Sequence, residues 1–119
     1  MKIKSTTDVI TNSSSEIYIL KKENAETLEE NYPEVECYDI SIDSLKENGW
    51  PHDFYCYAAD VDYPGKMSDQ EWKEFVEAHL EEFKKLEDCK EVYIDDGIDD
   101  YEYAIDFARS ELLSHRSNR

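Results

Sequence analysis

An α+β domain is what this sequence predicts, and three observations carry that reading. Strand-like and helix-like signals alternate along the chain, a pattern that ordinarily means a sheet covered by helices. The strand-like runs hold polar residues at alternate positions instead of continuous apolar stretches, which disfavours a purely parallel sheet. The 119 residues suffice for one domain, which buries roughly two-thirds of the surface its unfolded chain would expose. The expected architecture is a small sheet of about four strands, with two longer helices near 68–88 and 99–114 and one or two short ones.

In chain order, Lys2–Ile10 can form a first strand on a Thr-rich pattern. Ser15–Lys22, containing EIYILKK, is β-branched and aromatic and predicts a strand more clearly. Asn24 offers a cap for a short helix, AETLEENY, that must stop before Pro33. Glu34–Ile42 alternates, with Val35, Cys37 and Asp39 on one side and Glu36, Tyr38 and Ile40 on the other, as a strand does. Ser41 or Asp43 then starts a helical turn that Gly49 closes. Asp53–Tyr63, DFYCYAADVDY, reads as a further strand that ends at the turn Pro64-Gly65.

Ser68-Asp69-Gln70-Glu71 has the form of a capping box. Trp72, Phe75, Val76, Leu80, Phe83 and Leu86 follow at helical spacing, and Lys84 and Lys85 suit the negative end of the helix dipole. Glu91–Asp95 is a short strand built on Val92 and Ile94, and Gly97 turns the chain. The last helix carries the stripe Ile98, Tyr101, Ile105, Ala108 and Leu112. The basic tail from about residue 115 is expected to fray. The alternating strands leave one sheet face expected to be solvated or partnered.

Charge narrows function more than any motif does. Thirty acids against thirteen bases give a net −17. From Glu23 to Asp106 there are 27 acids and 6 bases, whereas the two ends together hold 3 acids and 7 bases. Such a surface repels phosphates, so direct nucleic-acid binding and anionic membranes are disfavoured. A basic protein partner, cations or plain solubility remain. No long apolar run or export signal appears, which predicts a soluble cytoplasmic protein. Cys37, Cys56 and Cys89 are odd in number and widely spaced, as reduced packed thiols would be.

The run Thr11-Asn12-Ser13-Ser14-Ser15 contains no glycine, so it lacks the close backbone approach of a phosphate cradle. It is no nucleophile elbow either, and reads as a polar turn. The same residues resemble the TNSSS signature at the front of uncharacterised small proteins of phages and prophages. That resemblance implies a phage or mobile-element source, with the host cytoplasm as location, and no activity.

His52, His79 and His115 stand at no metal-ligand spacing to the cysteines, and no C-x-x-C or H-E-x-x-H occurs. The acids around Gly97 do not match an EF-hand loop. With thirty acids, a suggestive carboxylate pair carries no information about catalysis. The chain therefore reads as a non-enzyme with no cofactor.

Two acidic rows stand out as candidate partner-binding residues. Glu74, Glu77 and Glu81 follow i, i+3, i+7 on the first long helix, and Asp99, Glu102 and Asp106 do so on the last. Asp95, Asp96 and Asp100 flank the second row, with Tyr101 and Tyr103 as anchoring aromatics. Strand segments supply a third block: Glu34, Glu36, Asp39, Asp43, Asp53, Asp60 and Asp62. Like charges at these spacings cost a few tenths of a kcal/mol per pair. Solubility by itself is served by a net charge of about 2 to 8. Size, acidity and tyrosine content resemble phage-encoded DNA-mimic inhibitors of restriction enzymes and CRISPR effectors. The resemblance implies inhibition of a basic nucleic-acid-binding host protein. The alternatives are a phage assembly protein that self-associates, starting from a possible homodimer, and a divalent-cation-dependent ligand binder using Asp95–Asp106.

Overall fold

The computed structural model describes residues 15–47 and 52–118. The Lys2–Ile10 strand, the Thr11–Ser14 part of the serine run and the Gly49 cap lie outside them. The fold is α+β, built on a four-stranded antiparallel sheet in the order β2-β3-β1-β4. The strands are β1 (Ser15–Lys21), β2 (Glu36–Asp39), β3 (Cys89–Asp95) and β4 (Ser114–Asn118).

β1 is central, pairing with β3 (Tyr18 opposite Val92) and with β4 (Tyr18 opposite His115). Every residue from Glu16 to Leu20 is buried, because helices cover both faces of the sheet. Ile17 and Ile19 face one core with Leu45, Cys56, Trp72, Val76 and Phe83. Tyr18 and Leu20 face the other with Ala25, Leu28, Val92, Ile94, Ala104, Ile105 and Ala108. The expected solvated sheet face is therefore corrected: alternation along a strand here sorts side chains between two cores.

The second core is roofed by α1 (Lys22–Asn31) and by the last helix, α6 (Tyr101–Ser110). The first lies beneath α2 (Ile42–Glu47), α3 (His52–Ala58), α4 (Asp69–Ala78), α5 (Leu80–Lys84) and a 3₁₀ turn at Lys85–Asp88. α1 begins two residues before Asn24, so Asn24 is helical instead of a cap, and the helix stops before Pro33 as expected. Ser41 immediately precedes α2, and its Oγ accepts the Ser44 amide at 3.1 Å. β2 is shorter than the expected Glu34–Ile42 run.

The Asp53–Tyr63 strand is overturned. Residues 52–58 are helical, and His52, Tyr55, Cys56 and Ala59 are buried at i, i+3, i+4, i+7. The aromatic alternation pointed to a strand, but packing against Trp72 and β4 imposes the helix, as tertiary context does to weak β-propensity. The chain bends at Gly65, which has φ +105°, a conformation side-chain-bearing residues resist.

The capping box forms as read. Ser68 Oγ accepts the Glu71 amide at 3.1 Å, and Glu71 Oε1 accepts the Ser68 amide at 2.8 Å. The single helix expected over 68–88 is broken at His79, which has φ −122° and ψ 37°. His79 Nδ1 lies 3.1 Å from the Phe75 carbonyl oxygen and its ring sits 4.4 Å from that of Phe75. A side chain that competes inside the helical ladder is a known cause of such breaks. Finally, the helix expected to 114 ends at Ser110, and the tail expected to fray is strand β4, paired to β1.

Candidate functional site

The chemistry on this molecule is carried by carboxylates, which both helical layers expose, and two of those over the first core are paired with lysines. In the layer over the first core, Lys46 reaches Glu77 at 3.2 Å and Lys73 reaches Glu47 at 3.1 Å, tying α2 to α4. Glu74 accepts a hydrogen bond from Gln70 at 3.1 Å. Glu81 stands on α5, beyond the break at His79, so Glu74, Glu77 and Glu81 are exposed but do not form one continuous helical row.

On the opposite side of the sheet the exposed carboxylates of the helical layer form no ion pair with a described residue. Glu102 and Asp106 are exposed on α6 at i, i+4, about 6 Å apart along the axis at 1.5 Å of rise per residue. Asp99 precedes the helix instead of belonging to it, and its amide donates to Glu34 Oε1 at 3.3 Å. Asp96 and Asp100 are exposed in the same loop, Asp100 with φ 59°. Asp95 is half-buried and accepts the Gly97 amide at 2.9 Å, so it serves the turn. Tyr103 is 67% exposed and available to a partner, whereas Tyr101 is half-buried against the second core.

The sequence reading passed over α1. Glu23, Glu26, Glu29 and Glu30 are all exposed on it, and α1 shares the second-core layer with α6. The i, i+3, i+7 spacing of Glu23, Glu26 and Glu30 was the available signal. Residues 22–34 and 96–110 thus present ten exposed carboxylates: those four, Glu34, Asp96, Asp99, Asp100, Glu102 and Asp106. Their only bases are Lys22 and Arg109, and Arg109 Nη2 is drawn to within 3.9 Å of the buried Glu16.

Two interior carboxylates escaped sequence reasoning because their partners come from distant elements. Glu16, 6% exposed, accepts the Tyr18 hydroxyl at 2.8 Å and His115 Nε2 at 2.7 Å. A carboxylate only accepts, so Nε2 carries the hydrogen. Burial pushes the Glu16 carboxyl up. The hydrogen bonds from Tyr18 and His115, with the charges of His115 and Arg109, outweigh it and hold the carboxyl below its usual value. The His115 ring stacks on Tyr18 at 4.6 Å, so β1, β4 and α6 meet at one buried charge.

On the other face, Glu91 of β3 accepts the Tyr55 hydroxyl and has Tyr93 Oη at 3.5 Å. Burial pushes Glu91 up, partly opposed by those two hydrogen bonds, and burial beside Glu91 pushes Tyr93 up to about 12. Both clusters are satisfied hydrogen-bond networks that fix strands and helices in register.

Cys37, Cys56 and Cys89 are free thiols. Among the described residues no three His, Cys, Asp or Glu side chains are placed to hold a metal ion, so the cation-dependent reading of Asp95–Asp106 has no ligand set here. No described helix is long and apolar enough to cross a membrane. Comparison with known protein families, curated proteins and solved structures gives no match.

Proposed function

We propose that this protein is a folded polyanion that inhibits a basic nucleic-acid-binding protein by occupying its phosphate-binding groove. The α1/α6 layer is the contact face. One observation supports this above all: that layer holds ten exposed carboxylates against two bases, and none of the ten forms an ion pair with a described residue. Carboxylates on helices recur every 4.5 to 6 Å along the axis, on the order of the charge spacing along a nucleic-acid strand. A rigid array of this kind releases counterions from a Lys/Arg groove as nucleic acid does, and rigidity keeps the ordering cost low. Tyr103 stands in the array and can stack on arginine. The phage-type front end of the chain agrees with a defence nuclease or CRISPR effector as the target class, in the host cytoplasm.

The test is capture of the partner from host extract, followed by competition with duplex DNA or guide RNA across a salt series. Mutual exclusion and affinity that falls steeply with salt are expected. The Glu26→Lys, Glu30→Lys, Glu102→Lys, Asp106→Lys variant should lose binding while keeping its circular dichroism spectrum. A captured partner that binds that variant unchanged, or binds nucleic acid and this protein together, refutes the proposal.

A further inference from the structure

The buried Glu16 holds a histidine by one nitrogen beside an open cavity. His115 Nε2 donates to Glu16 Oε1 at 2.7 Å, and the ring stacks on Tyr18 at 4.6 Å. One ring nitrogen and one ring face are thus fixed by β1. Glu16 is held in turn, 6% exposed, accepting the Tyr18 hydroxyl at 2.8 Å and lying 3.9 Å from Arg109. His115 Nδ1 forms no hydrogen bond with a described residue, and 29% of the side chain is open to solvent.

His115 lines a cavity of about 390 Å³ between α3 and the start of β4, together with Asp53, Phe54, Tyr57, Leu112 and Ser114. That volume falls within the range of small-ligand sites, about 300 to 1,000 Å³. Phe54 is buried, whereas Tyr57 and Leu112 are 65% and 38% exposed, so apolar surface faces water here without a cover among the described residues. The Ser114 hydroxyl donates to the Phe54 carbonyl oxygen at 3.3 Å and ties the two sides of the cavity together.

The chemistry of the lining narrows the ligand. It holds one carboxylate, Asp53, and neither lysine nor arginine, which disfavours an anion. Nε2 carries a hydrogen, so Nδ1 presents a lone pair in the neutral ring and an N–H in the imidazolium. An ammonium only donates and a carboxylate only accepts, so each matches one form of the ring. A hydroxyl does both and meets Nδ1 in either form. Phe54 and Tyr57 favour an aromatic body, which packs offset or edge-on against their rings.

We propose that this cavity binds a small aromatic alcohol, its hydroxyl on His115 Nδ1 and its ring against Phe54, Tyr57 and Leu112. Glu16 is the positioning residue, fixing the tautomer and the angle of the His115 ring without touching the ligand. The site shares no residue with the acidic α1/α6 face, so either reading can fail without the other.

Titration with para-ethylphenol, followed by the imidazole nitrogen NMR signals of His115, tests it. Saturable movement of the Nδ1 signal is expected, with a dissociation constant below about 1 mM. The methyl ether of para-ethylphenol, which has lost its donor, should bind at least about tenfold weaker, as should benzylammonium and benzoate. His115→Gln should weaken binding at least about tenfold. Tyr57→Ala, a change at an exposed position, should weaken it about three- to tenfold with an unchanged melting temperature and unmoved His115 signals in the free protein. Glu16→Gln should shift those free-state signals and weaken binding about threefold. No saturable movement below about 1 mM, equal binding of the ether or of either ion, or affinity unchanged in both Tyr57→Ala and His115→Gln overturns the proposal.

Discussion

Glu16→Gln tests whether a buried charge holds the C-terminal strand in place. The substitution keeps shape and an acceptor oxygen but removes the charge that gathers the Tyr18 hydroxyl at 2.8 Å, His115 at 2.7 Å and Arg109 at 3.9 Å. Hydrogen bonds to charged groups contribute about 1.5 to 3 kcal/mol, against about 0.5 to 1.5 for neutral pairs. Two short bonds therefore lose roughly 2 kcal/mol together, reduced to about 1 to 2 because water screens His115 and Arg109, whose side chains are 29% and 58% exposed. Urea unfolding at pH 7 should show that loss. Glu16 is held below its ordinary value in the folded state, so its contribution is fully present above the reference value of 4.5 and disappears as pH falls through the lowered folded value. The gap between wild type and variant should accordingly close on acidification, and amide exchange at His115–Ser117 should accelerate in the variant at pH 7. Equal stabilities at pH 7, or a gap that persists unchanged at low pH, would refute the reasoning.

Glu91 has the opposite sign. Burial raises its folded value, so the charge opposes folding at neutral pH, and Glu91→Gln should be neutral or stabilising in thermal melts at pH 7, the difference fading as pH falls below the raised value. Ser68→Ala removes one arm of the capping box and should cost about 1 kcal/mol in urea unfolding. Phe83, fully buried and edge-on to Trp72 at 5.5 Å, should cost about 3 to 5 kcal/mol when replaced by alanine, read by the same unfolding curve. Burial pushes Cys37 and Cys56 each up to about 11, so disulfide reagents at pH 8 should modify half-buried Cys37 slowly, and Cys56 and Cys89 only after unfolding.

The carboxylate surplus, its confinement to Glu23–Asp106 and the capping box at Ser68–Glu71 could be read directly, because each depends on composition or on residues within one turn. β1 and β3 were equally plain, since their β-branched and aromatic residues prefer a pleat. Long-range packing decided the rest. SHRSNR has little intrinsic reason to extend, and becomes β4 because β1 presents an edge whose amides and carbonyls need partners. DFYCYAA alternates like a strand, yet coils so that Tyr55 reaches both Trp72 and Glu91. His115 and Glu16 stand 99 residues apart, and no local pattern announces their contact. The candidate face shows the same division. Sequence supplied the charges on α6, but only the tertiary structure set α1 beside it, broke the other row at His79 and paired Lys46 and Lys73 with Glu77 and Glu47 in the opposite layer. Charge is a property of residues, whereas a charged surface is a property of where the chain folds back on itself.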